Sequence, residues 1–397
     1  MNKNIARLAR LAAKKTRTII GLMSGTSMDG LDVALCRVSG AGLTTKLKLI
    51  KFETVPYDPE IKDRISEVFA KSTVDFERLC ILNPWIGQLH AEMISLCLKK
   101  WRMSASKIDL IASHGQTVYH SPASQHPEDN INATLQIGDG DQIAVRTGIT
   151  TVSDFRQKHI AKGGEGAPLA VYGDYFLLSH KTENRILINI GGIANFTYLP
   201  AGFESNKVFV TDTGPGNTLI DHTIRKLFPG EYYDKDAARA RKGTVNTKLL
   251  KALMSDRFFE LPFPKTTGPE VFSIGYVQTA QEASDTIDLH PNDLLATLTR
   301  FSAETIANAI RRTVGKKKFE IYLSGGGAHN PLLTQWLQEL LGVAKMKTTA
   351  AIGVAGDAKE AILFAILANE TVAGGTTDFG KRSRIPSVSM GKVSFPL

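Results

Sequence analysis

The feature that most constrains this chain is a short apolar run that ends in a glycine-rich loop, and it recurs. Residues 18–23 lead into GLMSGTSMDG at 21–30, and RILINIGGIANFTYL at 185–199 passes through paired glycines in the same way. A further run at 208–211 enters TDTGPGN. Short apolar and β-branched runs bounded by glycine are typical of strands. The recurrence indicates a duplication in which each half builds its own sheet.

Helical patterns separate these strands. Apolar runs at 33–38, 110–113 and 321–324 predict further strands, and residues 291–314 carry apolar side chains at intervals of three and four. That spacing predicts a helix, with Asn292 as its N-cap. Strands mixed with helices predict the α/β class, and 397 residues predict two or three domains.

Composition excludes several classes of protein. The chain is 43% hydrophobic and 22% charged, and we find no apolar run of about 18 residues, which argues against a membrane span. Its three cysteines, Cys36, Cys80 and Cys97, fit a reducing compartment better than a disulfide framework or a zinc site. The net charge of +9 suits an anionic substrate, and no basic segment interleaved with aromatics favours nucleic acid.

The first 17 residues hold six basic side chains and no acid. They lack the apolar core of a signal peptide. A basic helix on a membrane surface is one interpretation, and a frayed basic extension is the interpretation that we favour.

The glycine loops differ from the common phosphate-binding motifs. GLMSGTSMDG lacks the lysine of a Walker A loop, and neither GDGDQI nor GPGNTL completes a dinucleotide fingerprint. Alone, the stretch is as compatible with a tight turn as with a phosphate loop. However, residues 211–224 repeat the pattern, with amides at the start of a helix that could hold phosphate. The glycines of YLSGGGAHNPLL at 322–333 would let a flat ring lie against the main chain.

Two phosphate loops and a late triple glycine, in this order, resemble the sugar kinase, Hsp70 and actin superfamily. Within it, GLMSGTSMDGLD, SHGQTVYH, LQIGDGDQIA, SDFRQKHIAKGGEGAPL and DTGPGN resemble the anhydro-N-acetylmuramic acid kinase family, from about Gly21 to Asn369. The resemblance implies an α/β, two-lobed, actin-like (ribonuclease H-like) ATPase fold with the active site in the interdomain cleft. Residues 1–150 plus 356–397 are expected to form one lobe, and residues 151–355 the other.

ATP and Mg²⁺ are the cofactors that the resemblance implies. Main-chain amides of two loops and the metal would carry the phosphate charge, which accounts for the missing lysine. Related kinases have an aspartate where this chain has Met23, so the metal contact is expected from Asp29 or Asp212. The residues expected to bind ATP are Gly25, Thr26, Ser27, Met28, Asp29, Gly30, Leu31, Asp32, Asp212, Gly214, Gly216, Asn217, Gly325, Gly326 and Gly327.

The segment GGEGAPLAVYGDYFLL at 163–178 offers two candidate bases, Glu165 and Asp174. Glu165 is most simply a solvated loop acid. Asp174 stands at helical spacing from Pro168 among apolar residues, and the sequence leaves open whether it faces solvent or a cleft. By resemblance, Asp174 occupies the position of the family's catalytic aspartate.

The sugar side is also assigned by resemblance. His114 could equally be a core histidine, and Arg156 could pair either with the lactyl carboxylate of a muramic acid or with Asp154. Residues 356–370 predict a helix in which Asp357 and Glu360 could form a capping box. At Pro269 this chain departs from the family's arginine, so no role is transferred. The residues expected to bind substrate are His114, Gln116, Asp139, Arg156 and Glu360.

The resemblance implies a kinase that consumes water and ATP to convert 1,6-anhydro-N-acetylmuramic acid to N-acetylmuramic acid 6-phosphate. It further implies peptidoglycan recycling, a bacterial cytoplasmic location and a homodimer. Two alternatives remain at this stage. One is a plain N-acetylhexosamine kinase acting on a reducing sugar, and the other is an ATP-gated module of the Hsp70 or actin type.

Overall fold

The chain divides into two α/β units in the computed structural model, which describes residues 1–25, 28–126, 128–315, 317–353, 356, 358–382 and 384–397. The first unit comprises Met1–Ser179, Ser205–Lys207 and Asp357–Leu397, and the second comprises His180–Glu204 and Val208–Gly356. Residues 151–179, which we expected in the second lobe, therefore lie in the first unit.

Seven strands form the sheet of the first unit: β1 (Thr16–Ser24), β2 (Gly30–Ser39), β3 (Lys46–Pro56), β4 (Leu110–Ser121), β5 (Ala133–Ile137), β6 (Thr151–Ser153) and β12 (Lys392–Ser394). Their order is β3-β2-β1-β4-β6-β12, with β5 paired to β4. The pairs β1–β2 and β2–β3 are antiparallel, whereas β4 runs parallel to β1 and β6 runs parallel to β4. The pairing of β6 with β4 and β12 explains why the boundary lies beyond residue 150.

Five strands form the sheet of the second unit: β7 (Arg185–Ile190), β8 (Ile193–Leu199), β9 (Phe209–Pro215), β10 (Glu320–Ser324) and β11 (Lys347–Thr348). Their order is β9-β8-β7-β10-β11, with an antiparallel β7–β8–β9 meander followed by parallel β10 and β11. This is the ribonuclease H-like order, and the first unit shows it too. The duplication and the fold class predicted from the glycine loops are thereby confirmed.

Twelve α-helices are present in the described residues. The first unit holds α1 (Lys3–Ala13), α2 (Pro59–Ser66), α3 (Phe76–Lys100), α4 (Gly140–Thr147), α5 (Phe155–Ala161), α6 (Ala170–Leu178) and α12 (Lys359–Ala373). The second holds α7 (Thr218–Leu227), α8 (Thr247–Leu253), α9 (Ile274–Ser284), α10 (Pro291–Val314) and α11 (Pro331–Leu341). Within the described part of the chain, none of them is long and apolar enough to cross a membrane.

Helix α10 has the bounds that its periodicity predicts, and its apolar positions are buried. Its N-cap is His290 rather than Asn292. The ring Nδ1 of His290 accepts the Asn292 amide proton at 3.2 Å. Because Pro291 fills the first helical position and has no N–H, the cap moves to the residue before it.

The basic N-terminus is not frayed. It forms α1, which buries Leu11 and lies against the first unit. The buried Arg17 guanidinium donates to the carbonyl oxygens of Leu11 and Ala12, each at 3.3 Å, and to Asn369 Oδ1 at 2.7 Å. Lys14 Nζ lies 2.6 Å from Asp109 Oδ1. These contacts of α1 with β1 and α12 contradict the expected free extension.

Helix α12 packs against β1 at Gly21, the first glycine of GLMSGTSMDG. A methyl group on Gly21 would lie 1.9 Å from the carbonyl oxygen of Ala361 and 3.1 Å from the amide nitrogen of Ala365. Only glycine permits this approach. The predicted inward residues Ala361, Phe364, Ala365 and Leu367 are all buried, while Asp357, proposed for its cap, lies outside the described residues.

Candidate active site

Asp174 lies on α6, a helix that is apolar around its whole circumference and therefore buried. Its side chain is 3% exposed, which excludes an exposed helix face. The Nζ of Lys359, at the first position of α12, lies 2.9 Å from Asp174 Oδ1. The two helices pack closely here, since a Cβ on Gly173 would contact the Leu363 side chain of α12. A buried carboxylate and a partly exposed ammonium thus form an ion pair.

Arg156 on α5 is held by His114 on β4. The Arg156 Nε donates to His114 Nε2 at 3.0 Å, and Nη1 donates to the Gly166 carbonyl at 2.7 Å. Burial lowers the pKa of His114 well below its usual value, and the Arg156 charge lowers it further. The ring is therefore neutral and can accept this bond.

The alternative partner of Arg156 is excluded by the geometry. Asp154 pairs with Lys392, and among the described residues no carboxylate lies within 4.0 Å of the Arg156 guanidinium. Burial lowers the pKa of Arg156 to about 10, an effect that Glu360 opposes. A partly buried cation without a carboxylate partner in that part of the chain is suited to bind an anionic ligand.

Glu360 follows Lys359 at the start of α12. Its side chain reaches solvent, yet the surrounding protein desolvates it enough to raise its pKa, and the charge of Asp32 raises it further. Arg156 and Lys359 oppose this shift. Asp32 on β2 accepts a hydrogen bond from Thr54 Oγ1 at 2.6 Å. The structure therefore brings Asp174, Lys359, Glu360, Asp32, Arg156 and His114 into one electrostatic cluster.

Two residues expected to contact substrate make hydrogen bonds within the fold. Asp139 caps α4, where its Oδ1 accepts the amide protons of Asp141 at 2.8 Å and Gln142 at 3.3 Å. Gln116 is turned towards the first glycine loop, since its Nε2 donates to the Gly25 carbonyl at 3.2 Å and its Oε1 accepts from Ser24 Oγ. Both polar ends of the Gln116 amide are thus occupied.

The first glycine loop joins β1 to β2. Thr26 and Ser27 lie outside the described residues, and Gly25 is anchored through its carbonyl oxygen. Asp29 is exposed, and its carbonyl oxygen accepts the Tyr57 amide proton at 3.0 Å. Met28 packs against the core of the first unit and Leu31 is part of that core, so both side chains support the loop from inside.

Three glycine loops meet in the second unit. The β7–β8 turn at Gly191 and Gly192 accepts the amide protons of Gly216, Asn217 and Thr218 at 2.8, 2.9 and 3.1 Å. The expectation that amides at this helix start hold phosphate is therefore corrected for Gly216 and Asn217, because these donors are already paired.

Glycine is required in this loop cluster by close approach. A Cβ on Gly216 would lie 2.3 Å from the Gly191 oxygen, and one on Gly325 would lie 2.6 Å from the Ile190 oxygen. Gly327 would meet the Ile190 side chain at 2.3 Å, and Gly326 lies beside Asn217. Two loops thus meet around the β7–β8 turn. One carries Gly214, Gly216 and Asn217, and the other carries Gly325, Gly326 and Gly327.

Asp212 on β9 is held by the segment that follows Pro264. Its amide donates to the Lys265 carbonyl at 3.0 Å, and its Oδ2 accepts the Thr267 amide proton at 2.9 Å. Across the described residues, no group of three or more His, Cys, Asp or Glu side chains could hold a metal ion.

Sequence reasoning gave no role in the site to Lys359, Tyr57 or the Gly191–Gly192 turn. Lys359 stands 185 positions from Asp174 and carries no local signal. The paired glycines after a strand, in contrast, repeat the pattern of residues 18–30 and could have been given the same weight.

Comparison with known proteins identifies the family. A model described as anhydro-N-acetylmuramic acid kinase matches residues 17–381. The chain is 54% identical over 400 residues to the anhydro-N-acetylmuramic acid kinase of Pseudoalteromonas atlantica, covering 100% of both chains. It is 41% identical over 395 residues to that of Caldanaerobacter subterraneus, covering 98% of this chain and 99% of the relative.

Solved structures match more distantly. A dehydratase activator from Clostridium difficile with bound ADPNP aligns with a TM-score of 0.38 and 10% identity, covering 89% of this chain and 95% of that chain. The matches over the whole sequence are the informative ones: this chain belongs to the anhydro-N-acetylmuramic acid kinase family and is a kinase.

Proposed function

We propose that this kinase opens the 1,6-anhydro bridge of 1,6-anhydro-N-acetylmuramic acid with water and phosphorylates O6 with ATP. The products are N-acetylmuramic acid 6-phosphate and ADP. The observation that carries the proposal is the buried Asp174 carboxylate, held by Lys359 in the same cluster as Arg156 and Glu360. A plain kinase needs a base for a sugar hydroxyl, whereas this reaction needs a base for water.

The water oxygen forms a bond to C1 as its proton passes to Asp174, and the C1–O6 bond breaks. O6 then carries the electron pair that forms the bond to the γ-phosphorus. The bond from that phosphorus to the bridging oxygen of ADP breaks, and the charge remains on ADP.

Lys359 and Glu360 are the charged neighbours of the proposed base, Asp174. Lys359 holds one oxygen of Asp174 by its position 2.9 Å away, which orients the carboxylate. The pKa of Glu360 is raised. Its carboxylate can accept a hydrogen bond from a sugar hydroxyl, and its protonated form can donate one. Asp174 is thus the proposed catalytic residue, with Lys359 as its positioning residue.

Arg156 is the proposed recognition residue for the lactyl carboxylate. Its Nε and Nη1 are fixed by His114 and Gly166, so the guanidinium plane is set before substrate arrives. A preset guanidinium binds a carboxylate with less loss of side-chain freedom. This residue would favour a muramic acid over a sugar that lacks the lactyl group.

Membership of a kinase family supports ATP as the phosphoryl donor. We propose that the first glycine loop and the β7–β8 turn lie against the phosphates, and that Gly325, Gly326 and Gly327 lie against the adenosine. Asp212 would hold Mg²⁺, and its fixed, partly exposed carboxylate fits a metal that takes one or two protein ligands. When bound, Mg²⁺ supplies neutralisation of phosphate charge.

A role in peptidoglycan recycling, a cytoplasmic location and a homodimeric state complete the proposal. The family resemblance supports all three. The recycling role also agrees with the proposed substrate, which is a sugar of the cell wall.

Incorporation of ¹⁸O tests the reaction. Enzyme, MgATP and the anhydro sugar are incubated in ¹⁸O-water, and the fresh product is fragmented by mass spectrometry. We expect one heavy oxygen at C1 and none in the bridge from carbon 6 to phosphorus. Unlabelled product incubated for the same time controls for spontaneous exchange at C1.

Two outcomes would contradict the proposal. Label in the C6–O–P bridge would show that water, and not the sugar's O6, attacks phosphorus or C6. Rapid phosphorylation of N-acetylmuramic acid or N-acetylglucosamine with the anhydro sugar inert would identify the plain hexosamine kinase.

A further inference from the structure

Four buried side chains form a continuous line of hydrogen bonds that ends at the first glycine loop. His90 Nε2 lies 2.8 Å from Tyr57 Oη, and Tyr57 Oη lies 3.0 Å from Ser24 Oγ. Ser24 Oγ in turn contacts Gln116 Oε1. We refer to His90, Tyr57, Ser24 and Gln116 as the Tyr57 relay. All four are at most 3% exposed, so water does not compete for these bonds.

The orientation of the Gln116 amide follows from its neighbours. One end of the amide faces the carbonyl oxygens of Gly25 at 3.2 Å and Thr117 at 3.1 Å. Carbonyl oxygens only accept, so this end must be the NH₂ group. The other end is then Oε1, which can only accept the proton of Ser24.

The donor of each remaining hydrogen bond follows step by step from this orientation. Since the Ser24 hydroxyl proton goes to Gln116, the Tyr57 hydroxyl must donate to Ser24 Oγ. The single Tyr57 proton is then used, so His90 must donate its Nε2 proton to Tyr57 Oη. Donation therefore runs in one direction, from His90 through Tyr57 and Ser24 to Gln116, and ends on the Gly25 carbonyl.

Tyr57 anchors the first glycine loop at two points. Through the relay it fixes the carbonyl of Gly25, and through its own amide it donates to the carbonyl of Asp29 at 3.0 Å. The anchored carbonyls stand at the two ends of the five-residue segment 25–29. One tyrosine thus sets where the segment leaves β1 and where it approaches β2.

The relay does not change its charge near neutral pH. Burial lowers the pKa of His90 to about 4 and raises the pKa of Tyr57 above its usual value. Both groups therefore stay neutral across the physiological range, and the direction of donation is constant. A fixed network of this kind is suited to positioning rather than to switching.

We propose that the Tyr57 relay positions the first glycine loop for nucleotide, which makes Tyr57 and His90 positioning residues for phosphoryl transfer. The proposal rests on the proposed function, in which this loop lies against the phosphates. It assigns a role in ATP binding to a tyrosine on the segment between β3 and α2 and to a histidine in the middle of α3.

Tyr57→Phe tests the proposal, because it removes the hydroxyl and keeps the ring. We expect the KM for ATP and the Kd for a non-hydrolysable ATP analogue, measured by calorimetry, to rise about tenfold, with the sugar KM within about twofold of wild type. Tyr172→Phe is the matched control. Tyr172 is also buried in the first unit, and its hydroxyl donates to the Pro386 carbonyl at 2.7 Å, away from this loop.

Tyr57→Phe removes two buried hydrogen bonds and Tyr172→Phe removes one, so both should lower Tm, Tyr57→Phe by more. Only Tyr57→Phe should weaken nucleotide binding, so equal analogue affinity in the two variants would overturn the proposal. The analogue titration needs no sugar, and an inert anhydro sugar with wild-type enzyme would count against the proposed function alone.

The direction of donation gives a second, independent test at His90. His90→Gln keeps an N–H donor, whereas His90→Leu has none. We expect glutamine to retain analogue affinity within about threefold of wild type and leucine to lose about tenfold. Equal affinity of these two variants would overturn the proposal, and this pair decides the matter if Tyr57→Phe does not fold.

Discussion

In the first unit a line of buried side chains anchors the start of the loop after β1, whereas in the second unit main-chain amides anchor the turn after β7. Gln116 and Tyr57 anchor the first loop, and the amides of residues 216–218 anchor the Gly191–Gly192 turn. The strand order around the two loops is the same. The same strand order is therefore compatible with two ways of fixing a loop, one through side chains and one through main-chain hydrogen bonds.

The two units also differ in the charged side chains near these loops. The first unit brings together Asp174, Lys359, Glu360 and Arg156, while the meeting loops of the second unit are built mainly of glycine and asparagine. We therefore expect substitutions in the charge cluster of the first unit to change turnover and sugar binding. Substitutions in the loops of the second unit should change nucleotide binding.

Asp174→Asn should have the largest effect. It removes the proposed base and leaves the loops of the second unit intact, so we expect kcat to fall about 100-fold or more, with the Kd for ATP within about threefold of wild type. Steady-state kinetics and calorimetry measure the two quantities. Turnover near the wild-type rate would show that the charge cluster of the first unit is not the reaction centre.

Arg156→Lys should raise the KM for the anhydro muramic sugar about 30-fold, because lysine keeps the charge but cannot form the planar fork. The matched comparison is 1,6-anhydro-N-acetylglucosamine, which lacks the lactyl carboxylate. Its KM should not respond to the substitution. A similar rise for both sugars would mean that Arg156 supports the fold of the site rather than the carboxylate.

Gly216→Ala places a Cβ 2.3 Å from the Gly191 oxygen and should displace the β7–β8 turn. We expect the KM for ATP to rise about tenfold, with the sugar KM within about twofold of wild type. Gly21→Ala, whose Cβ would meet the Ala361 oxygen at 1.9 Å, is the counterpart in the first unit. It should lower Tm and kcat without this selectivity for ATP, because Gly21 packs against α12, and a selective rise in the KM for ATP would contradict this assignment.

Deletion of residues 2–14 should lower Tm by about 5 °C, because it removes the burial of Leu11 and three carbonyl acceptors of Arg17. Differential scanning calorimetry measures this change. The KM values of the folded protein should stay within about twofold of the intact chain. An unchanged Tm would return α1 to the status of a free extension.

Glu360→Gln should produce the smallest effect, and one that depends on pH. The folded-state pKa of Glu360 is raised, so its contribution to stability is full below the unfolded pKa and falls as pH rises through the folded value. Glutamine has no such loss. We expect the variant's Tm to exceed wild type by about 1 °C at pH 8, with no difference below about pH 4. A difference independent of pH would point to packing rather than charge.

Local patterns were enough to predict α10, the repeated units and six of the twelve strands in the described residues. Apolar runs bounded by glycine correspond to β1, β2, β4, β7, β9 and β10, because strand formation at those positions depends on short segments. The docking of α1 and the Lys359–Asp174 pair depend on contacts between residues far apart in sequence. No local period encodes them.

The candidate site shows the same limit at finer scale. Gln116 and Asp139 stand in motifs that resemble a sugar-binding wall, and in the structure Gln116 holds the first glycine loop while Asp139 caps α4. A motif identifies the residue types near a site, but the direction of each side chain depends on its neighbours. The catalytic role of Asp174 and the ATP-binding roles of the loops stay predictions until the variants are measured.

The first unit is assembled from both ends of the chain, with β12 at the edge of its sheet and α12 against Gly21. A ribosome making the protein must therefore synthesise the whole second unit before the segment Asp357–Leu397 that completes the first. At about 5–20 residues per second, residues 180–356 take roughly 10–35 s. During that interval the face of β1 that α12 will cover is exposed, and this nascent sheet is the place where a holding chaperone would be expected to act.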